Sequence, residues 1–152
     1  MNKLIYIKFL KILFFVSSCG YTPIFSNKDS NFSIVEISST GNNKLNKTLI
    51  SKLDNYRKIN SEKKFSLNID TNFKKEIASK DTKGNPKSYQ IIINLKISVI
   101  DEKNNLREKS FSKSTNYNNI NNKLKLKKYE NETSTNLIEK IGEEIIIYLQ
   151  SI

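Results

Sequence analysis

The chain has 152 residues and a formal net charge of +11, from 26 basic and 15 acidic side chains, with no His, no Trp and a single Cys. That length allows one domain with a modest core. The composition excludes an internal disulfide and a Cys/His metal site, and it removes most acid–base and nucleophilic machinery, which leans on His or an activated Cys, so neither enzyme activity nor a cofactor is expected.

Residues 1–15, MNKLIYIKFLKILFF, place Lys3, Lys8 and Lys11 around a short apolar stretch. The stretch is too short and too charged to cross a bilayer, which takes roughly 20 apolar residues. It suits the apolar region of a secretory leader, about 7–15 residues long. Ser17 and Ser18 come directly before Cys19, the lone thiol. This order resembles a bacterial lipobox, in which the thiol takes a diacylglyceryl group, the chain is cleaved before the Cys and the new amine is acylated. The expectation is therefore a leader over 1–18, lipid on Cys19 and an extended linker over 19–31, where Pro23 disfavours helix. The competing accounts are an ordinary buried Cys and an uncleaved anchor helix. Three Lys leave with the leader, so the charge falls from +11 to +8.

FSIVEIS, Phe32 to Ser38, is rich in β-formers without clean alternation. Gly41-Asn42-Asn43 signals a turn. A helix is expected from Lys44 to about Arg57, with Leu45, Leu49, Leu53 and Tyr56 on one face. In the next strand Phe65, Leu67, Ile69, Phe73 and Ile77 share one parity, against Ser66, Asn68, Asp70 and Lys74. A polar tip, Ser79 to Lys87, holds Gly84, Asn85 and Pro86. The run from Gln90 to Asp101 then sets Ile91, Ile93, Leu95, Ile97 and Val99 on one face, which makes a β-hairpin with the preceding strand. After a turn over Asp101 to Asn105 comes a weaker strand, Leu106 to Tyr117. Leu106 there has one parity and Phe111 and Tyr117 the other, a shift that a bulge would explain. A loop over 118–123 leads to a long helix from Leu124 to Ile152, with Leu137, Ile141, Ile145, Tyr148 and Ile152 on one stripe. The order β-α-β-β-β-α predicts an α+β two-layer sandwich over 32–152, two helices packed on a four-stranded mixed sheet. Its outer face should be polar and studded with Lys.

Three stretches go further: CGYTPIF, GNPKSYQIIINLKISVID and SKSTNYNNINNKLKLKKYENETSTNLIEKIGEEIIIYL. In order and spacing, across essentially all of the chain after residue 18, they resemble the LPS-assembly lipoproteins, the LptE family. The resemblance implies the same sandwich and a non-enzymatic role. Such a protein sits in the lumen of an LPS-export β-barrel of the LptD kind, assists its assembly, plugs it and contacts lipopolysaccharide. In lipoproteins of this type an Asp after the Cys favours the inner membrane, so Gly20 implies the outer membrane.

LPS carries phosphates and acidic sugars that Lys can attract. The expected contacts are Lys80, Lys83 and Lys87 at the hairpin tip, Lys83 foremost, with Lys109 and Lys113 on the following strand. Plain solvated lysines are the other account. With 24 Lys, 2 Arg, 22 Ile and 21 Asn, A/T-rich codons could produce the charge by drift, and Arg is the better sign of phosphate recognition. Two alternatives stand beside the resemblance. One is a generic envelope lipoprotein that binds another envelope protein. The other is a basic nucleic-acid-binding domain, against which the scarcity of Arg, the lack of Trp and the export-like start argue.

Overall fold

The computed structural model describes residues 30–57 and 60–152. The leader over 1–18, Cys19 and most of the linker lie outside them. The elements are β1 (Phe32–Gly41), α1 (Asn43–Leu53) with a 3-10 turn over Asp54–Tyr56, β2 (Lys63–Lys80), β3 (Pro86–Asp101), β4 (Leu106–Asn118) and α2 (Lys123–Ser151). The strands lie in the order β1-β2-β3-β4. β1 is parallel to β2, and the other neighbours are antiparallel. This is the expected β-α-β-β-β-α sandwich on a mixed sheet.

Both helices cover one face of the sheet. Ile91, Ile93, Leu95, Ile97 and Val99 of β3 form the buried spine. Leu45, Leu49 and Leu53 of α1 and Leu137, Ile138, Ile141 and Ile145 of α2 close over it. Such a stripe forms because residues three and four apart share one helix face while alternate strand residues share one sheet face. The helices approach closely at Gly142, where an added Cβ would stand 3.1 Å from carbons of Leu49 and Lys52. Lys52 ties the crossing together, donating to a Glu143 carboxylate at 2.9 Å and to the Glu139 carbonyl at 3.2 Å.

Gly41 turns the chain from β1 into α1. Its φ is +89°, and a Cβ there would fall 2.0 Å from the Thr71 carbonyl oxygen. Asn42 follows, donating its backbone N–H to that oxygen at 3.0 Å. Its side chain then accepts from Leu45 N–H at 3.1 Å and caps α1.

Three details depart from the sequence expectations. β1 carries the bulge: Ile34 pairs with Phe65 and Glu36 with Ser66, so Val35 is the extra, exposed residue. That extra residue is why its alternation reads poorly. β4 has none; its register to β3 is continuous from Leu106 to Asn118. Leu106 lies on the open face opposite Ile100, while Phe111 and Tyr117 point to the helices. In β2, Phe73 and Ile77 are on the helix side but 37% and 48% exposed, because β1 stops at Gly41, opposite Thr71.

Candidate functional site

The long β2–β3 hairpin runs past the end of β1 to a tip built by Asp81-Thr82-Lys83-Gly84-Asn85. Asp81 Oδ1 accepts from Lys83 N–H at 2.9 Å and Asn85 N–H at 2.8 Å, and Asn85 Nδ2 donates to Asp81 Oδ2 at 3.2 Å. Gly84, at φ +84°, takes the left-handed position. The β3–β4 turn, Asp101-Glu102-Lys103-Asn104-Asn105, repeats this construction bond for bond, with Asn104 at φ 60° in place of the Gly. Hydrogen bonds to each carboxylate, led by those from Asn85 and Asn105, hold both aspartates below their ordinary pKa. Asp81 is thus committed to shaping the turn, which holds Lys83 at its outer end.

Lys80, Lys83 and Lys87 stand at this tip as expected, all exposed. Lys109 and Lys113 do not join them. Both share parity with Phe111 and lie on the helix side of β4. Lys113 pairs with Glu144 of α2, and Lys109 Nζ sits 5.4 Å from the centroid of the Tyr148 ring. Lys109 and Lys113 thus stand on the following strand, as expected, but turned to α2 and apart from the tip lysines. Cys19 lies outside the described residues.

A second basic group stands at this end of the molecule. The loop before α2 is fastened to the hairpin: Asn119 N–H donates to the Lys87 carbonyl and Asn119 Nδ2 to the Pro86 carbonyl, each at 2.9 Å. This brings Lys123, Lys125, Lys127 and Lys128 to the tip end of the molecule. The KLKLKK run at the mouth of the predicted helix was the signal for them. Behind it Tyr117 packs between Tyr89, on which it stacks, and Tyr129, which is tilted against it, each pair 5.7 Å apart by ring centroid. Tyr117 donates to Glu130 at 2.9 Å, and Glu130 also pairs with Lys75, whose ammonium is 4.2 Å from the Tyr89 ring centre. This knot fixes the first turns of α2 to the hairpin.

The open face of the sheet is polar but not studded with Lys. Its cross-strand rows read Asn68-Ser98-Glu108, Asp70-Lys96-Ser110 and Asn72-Asn94-Ser112. Many of these groups satisfy one another. Thr40 Oγ1 donates to Asp70 at 3.1 Å and Ser112 Oγ to Asn94 at 2.7 Å, while Lys96 pairs with Glu108 at 2.9 Å and Lys74 with Glu76. The face is a comb of hydroxyls and amides with compensated charge. No helix among the described residues is long and apolar enough to cross a membrane.

No protein-family model matches the sequence, and no curated protein is significantly similar to it. The fold has counterparts among solved structures. A minor lipoprotein from Acinetobacter baumannii superposes with a TM-score of 0.59 at 9% identity, over 80% of this chain and 92% of that one. An uncharacterized lipoprotein B from Nitrosomonas europaea gives 0.57 at 14% identity, over 76% and 80%. The rare lipoprotein B of Shewanella oneidensis gives 0.53 at 13% identity, over 75% and 92%. At these identities the likeness is one of fold.

Proposed function

We propose that the chain is a non-enzymatic lipoprotein of the outer membrane, anchored by acyl groups on Cys19, that plugs and helps assemble an LPS-export β-barrel and contacts LPS in transit. The observation that carries this reading is the sandwich itself. The resemblance to the LptE family called for it, and bacterial lipoproteins from three organisms share it. The open sheet face supports a plug. A large barrel has a polar interior, and a comb of hydroxyls and amides on which Lys96 and Lys74 are already paired can meet such a wall with few charges left to desolvate.

The anchor is tested by Cys19→Ala. The variant should keep its leader or leave the membrane fraction, and a mass and fractionation equal to wild type would reject lipidation. The partner is tested by affinity purification of the full chain from detergent-solubilised membranes, with identification by mass. A large outer-membrane barrel should co-purify. Recovery with other envelope proteins and no barrel would make this a lipoprotein of another kind.

A further inference from the structure

β4 is the last strand of the sheet, and among the described residues no strand pairs with its outer side. Two bonds at the ends of the β3–β4 ladder fix which of its backbone groups face outward. Asp101 N–H donates to the Asn105 carbonyl at 3.2 Å, and Asn119 N–H to the Lys87 carbonyl at 2.9 Å. All four residues are odd-numbered, the register between them is continuous, and bonding alternates along an antiparallel ladder. Odd residues of β4 therefore bond to β3, and the N–H and C=O groups of the even residues from Leu106 to Asn118 point away from the sheet.

An open edge is ordinarily blunted by a bulge, a Pro or an outward Lys. β1, at the other edge, has the bulge at Val35. β4 has 13 residues with no Pro and no bulge. Its lysines are drawn in toward α2, Lys113 to Glu144 and Lys109 to the Tyr148 ring. Beside this edge runs a groove walled by Phe111, Ile147 and Tyr148, in which Ile147 is 53% exposed.

We propose that β4 pairs antiparallel with β4 of a second copy of this chain, across a two-fold axis at Ser112, to make one eight-stranded sheet. The strand is its own complement. Paired over its whole length, Leu106 meets Asn118, and the rows of the open face become Glu108 with Asn116, Ser110 with Ser114 and Ser112 with itself. Facing hydroxyls of this kind favour a sheet. On the helix side Lys109 meets Thr115 and Lys113 meets Phe111, so no two like charges stand opposite. Each facing pair of even residues exchanges both of its N–H···O bonds. The two copies of α2 come side by side over the seam, where each Ile147 gains cover. Charge selects this orientation. Residues 78–88 hold three Lys and one Asp, and residues 119–129 hold four Lys and no acid, so the tip pole carries +6 of the +8 on residues 30–152. Parallel strands would set two such poles side by side. The antiparallel seam puts them at opposite ends, the Asn118 end of each β4 beside the Asp101-Glu102 turn of the other. Both copies give the same surface, as an isologous contact requires. The seam goes beyond the plug reading and holds whichever envelope partner the lipoprotein serves.

The test uses the full chain in nonionic detergent, with micelles in excess so that two anchors do not share one. Wild type should sediment as a dimer at micromolar concentration. Ser112→Pro removes an outward N–H that the monomer leaves unbonded, a place where an edge strand tolerates Pro, so its melting should hold. Its dimer dissociation constant should rise about tenfold or more, since two hydrogen bonds are lost across the axis. Ile147→Ser should raise it roughly threefold by removing apolar cover. Should Ser112→Pro unfold, Ile147→Ser and cross-linking decide. Under mild oxidation Ser112→Cys should link to its own image above the wild-type background. Ser110→Cys, which faces Ser114, should not, and Ser110→Cys/Ser114→Cys should link again. Ser38→Cys, on the bulged edge, is the control and should stay unlinked. A monomeric wild type, or linking at Ser110→Cys or Ser38→Cys equal to that at Ser112→Cys, would overturn the proposal. A monomer whose outward β4 amides still exchange slowly would give the edge to the chain's own residues 20–29, and overturn it likewise. The barrel purification is read separately: a dimer without a barrel leaves the seam standing, and a barrel with a monomer removes only the seam.

Discussion

Glu130 shows how much a single side chain does here. It is largely buried and serves Lys75 and Tyr117 at once. Burial raises its pKa, but hydrogen bonds from Lys75 and Tyr117 and the charges of Lys75 and Lys127 outweigh it and hold the carboxyl below the ordinary 4.5. The same contacts, after burial, push the Tyr117 hydroxyl well above its ordinary value. A carboxyl depressed in the folded state adds stability above its unfolded pKa, and loses it as the pH falls through the folded one. Glu130→Gln should therefore lower stability by about 1.5–3 kcal/mol at pH 7, the range of charged hydrogen bonds. The gap to wild type should narrow on acidification below the ordinary Glu range. Urea unfolding at pH 7 and pH 3 decides it, and a gap of constant size would deny the knot its ionic character. Asp81→Ala should leave the urea midpoint within about 0.5 kcal/mol, as surface changes do, yet speed amide exchange at Lys83 and Asn85. Slow exchange in the variant would mean the turn does not depend on the carboxylate. DTKGN and DEKNN were legible as turns through their Gly and Asn residues. Their shared Asp-x-Lys-x-Asn build was also in plain sight, but recognising it takes the bonds from Asp to the amides two and four residues on.

At the scale of elements, parity did most of the predictive work. The β3 stripe is buried as its alternation requires, because a strand with one wet face sends every second side chain inward. Leu95→Ala should cost about 2–5 kcal/mol, as core truncations do. Lys96→Ala removes an exposed pair with Glu108, each side chain about half exposed, and should cost under about 1 kcal/mol. Equal shifts of the two urea midpoints would reverse the facing of β3. Gly142→Leu should destabilise by about 1–3 kcal/mol through overpacking at the helix crossing, and a melting point unchanged from wild type would mean the helices are further apart. The same parity rule assigned to β4 would have placed Lys109 and Lys113 with Phe111, facing α2. The bulge at Val35 and the early end of β1 were not legible. They depend on the register of β1 against β2, set by residues some thirty positions apart, and no local pattern encodes that. The exposure of Phe73 and Ile77 follows from it.

The whole molecule has two unlike ends. α2 finishes beside the start of the sheet, with Lys63 Nζ donating to the Ile152 carbonyl at 3.2 Å and Asn31 Nδ2 to the Gln150 carbonyl at 3.3 Å. Phe32, the first residue of β1, pairs with Lys63 there. The hairpin tip is at the far end of the 18-residue β2, at most about 60 Å away at strand rise, and the lysines that open the 29-residue α2 are about 40 Å away at helix rise. That separation was hidden in the sequence, since the N-terminal loop of α2 and the hairpin tip meet only in the fold. Lys83→Glu should leave melting unchanged and reduce lipid A binding chiefly at low salt; an unchanged affinity there would remove the tip from the proposed LPS contact. If Cys19 carries lipid, the tether attaches at the opposite end, where Lys63 and Lys64 stand among Glu62, Asp101 and Glu102. The 12 residues from Gly20 to Asn31 reach at most about 43 Å when fully stretched. The domain then behaves as a hinged dipole. A phosphate-bearing leaflet exerts a torque on it, drawing the charged end down over the last Debye length, about 8 Å at physiological salt. It would rest along the membrane surface until something stronger turned it upright, so entry into a barrel is a rotation as well as a capture.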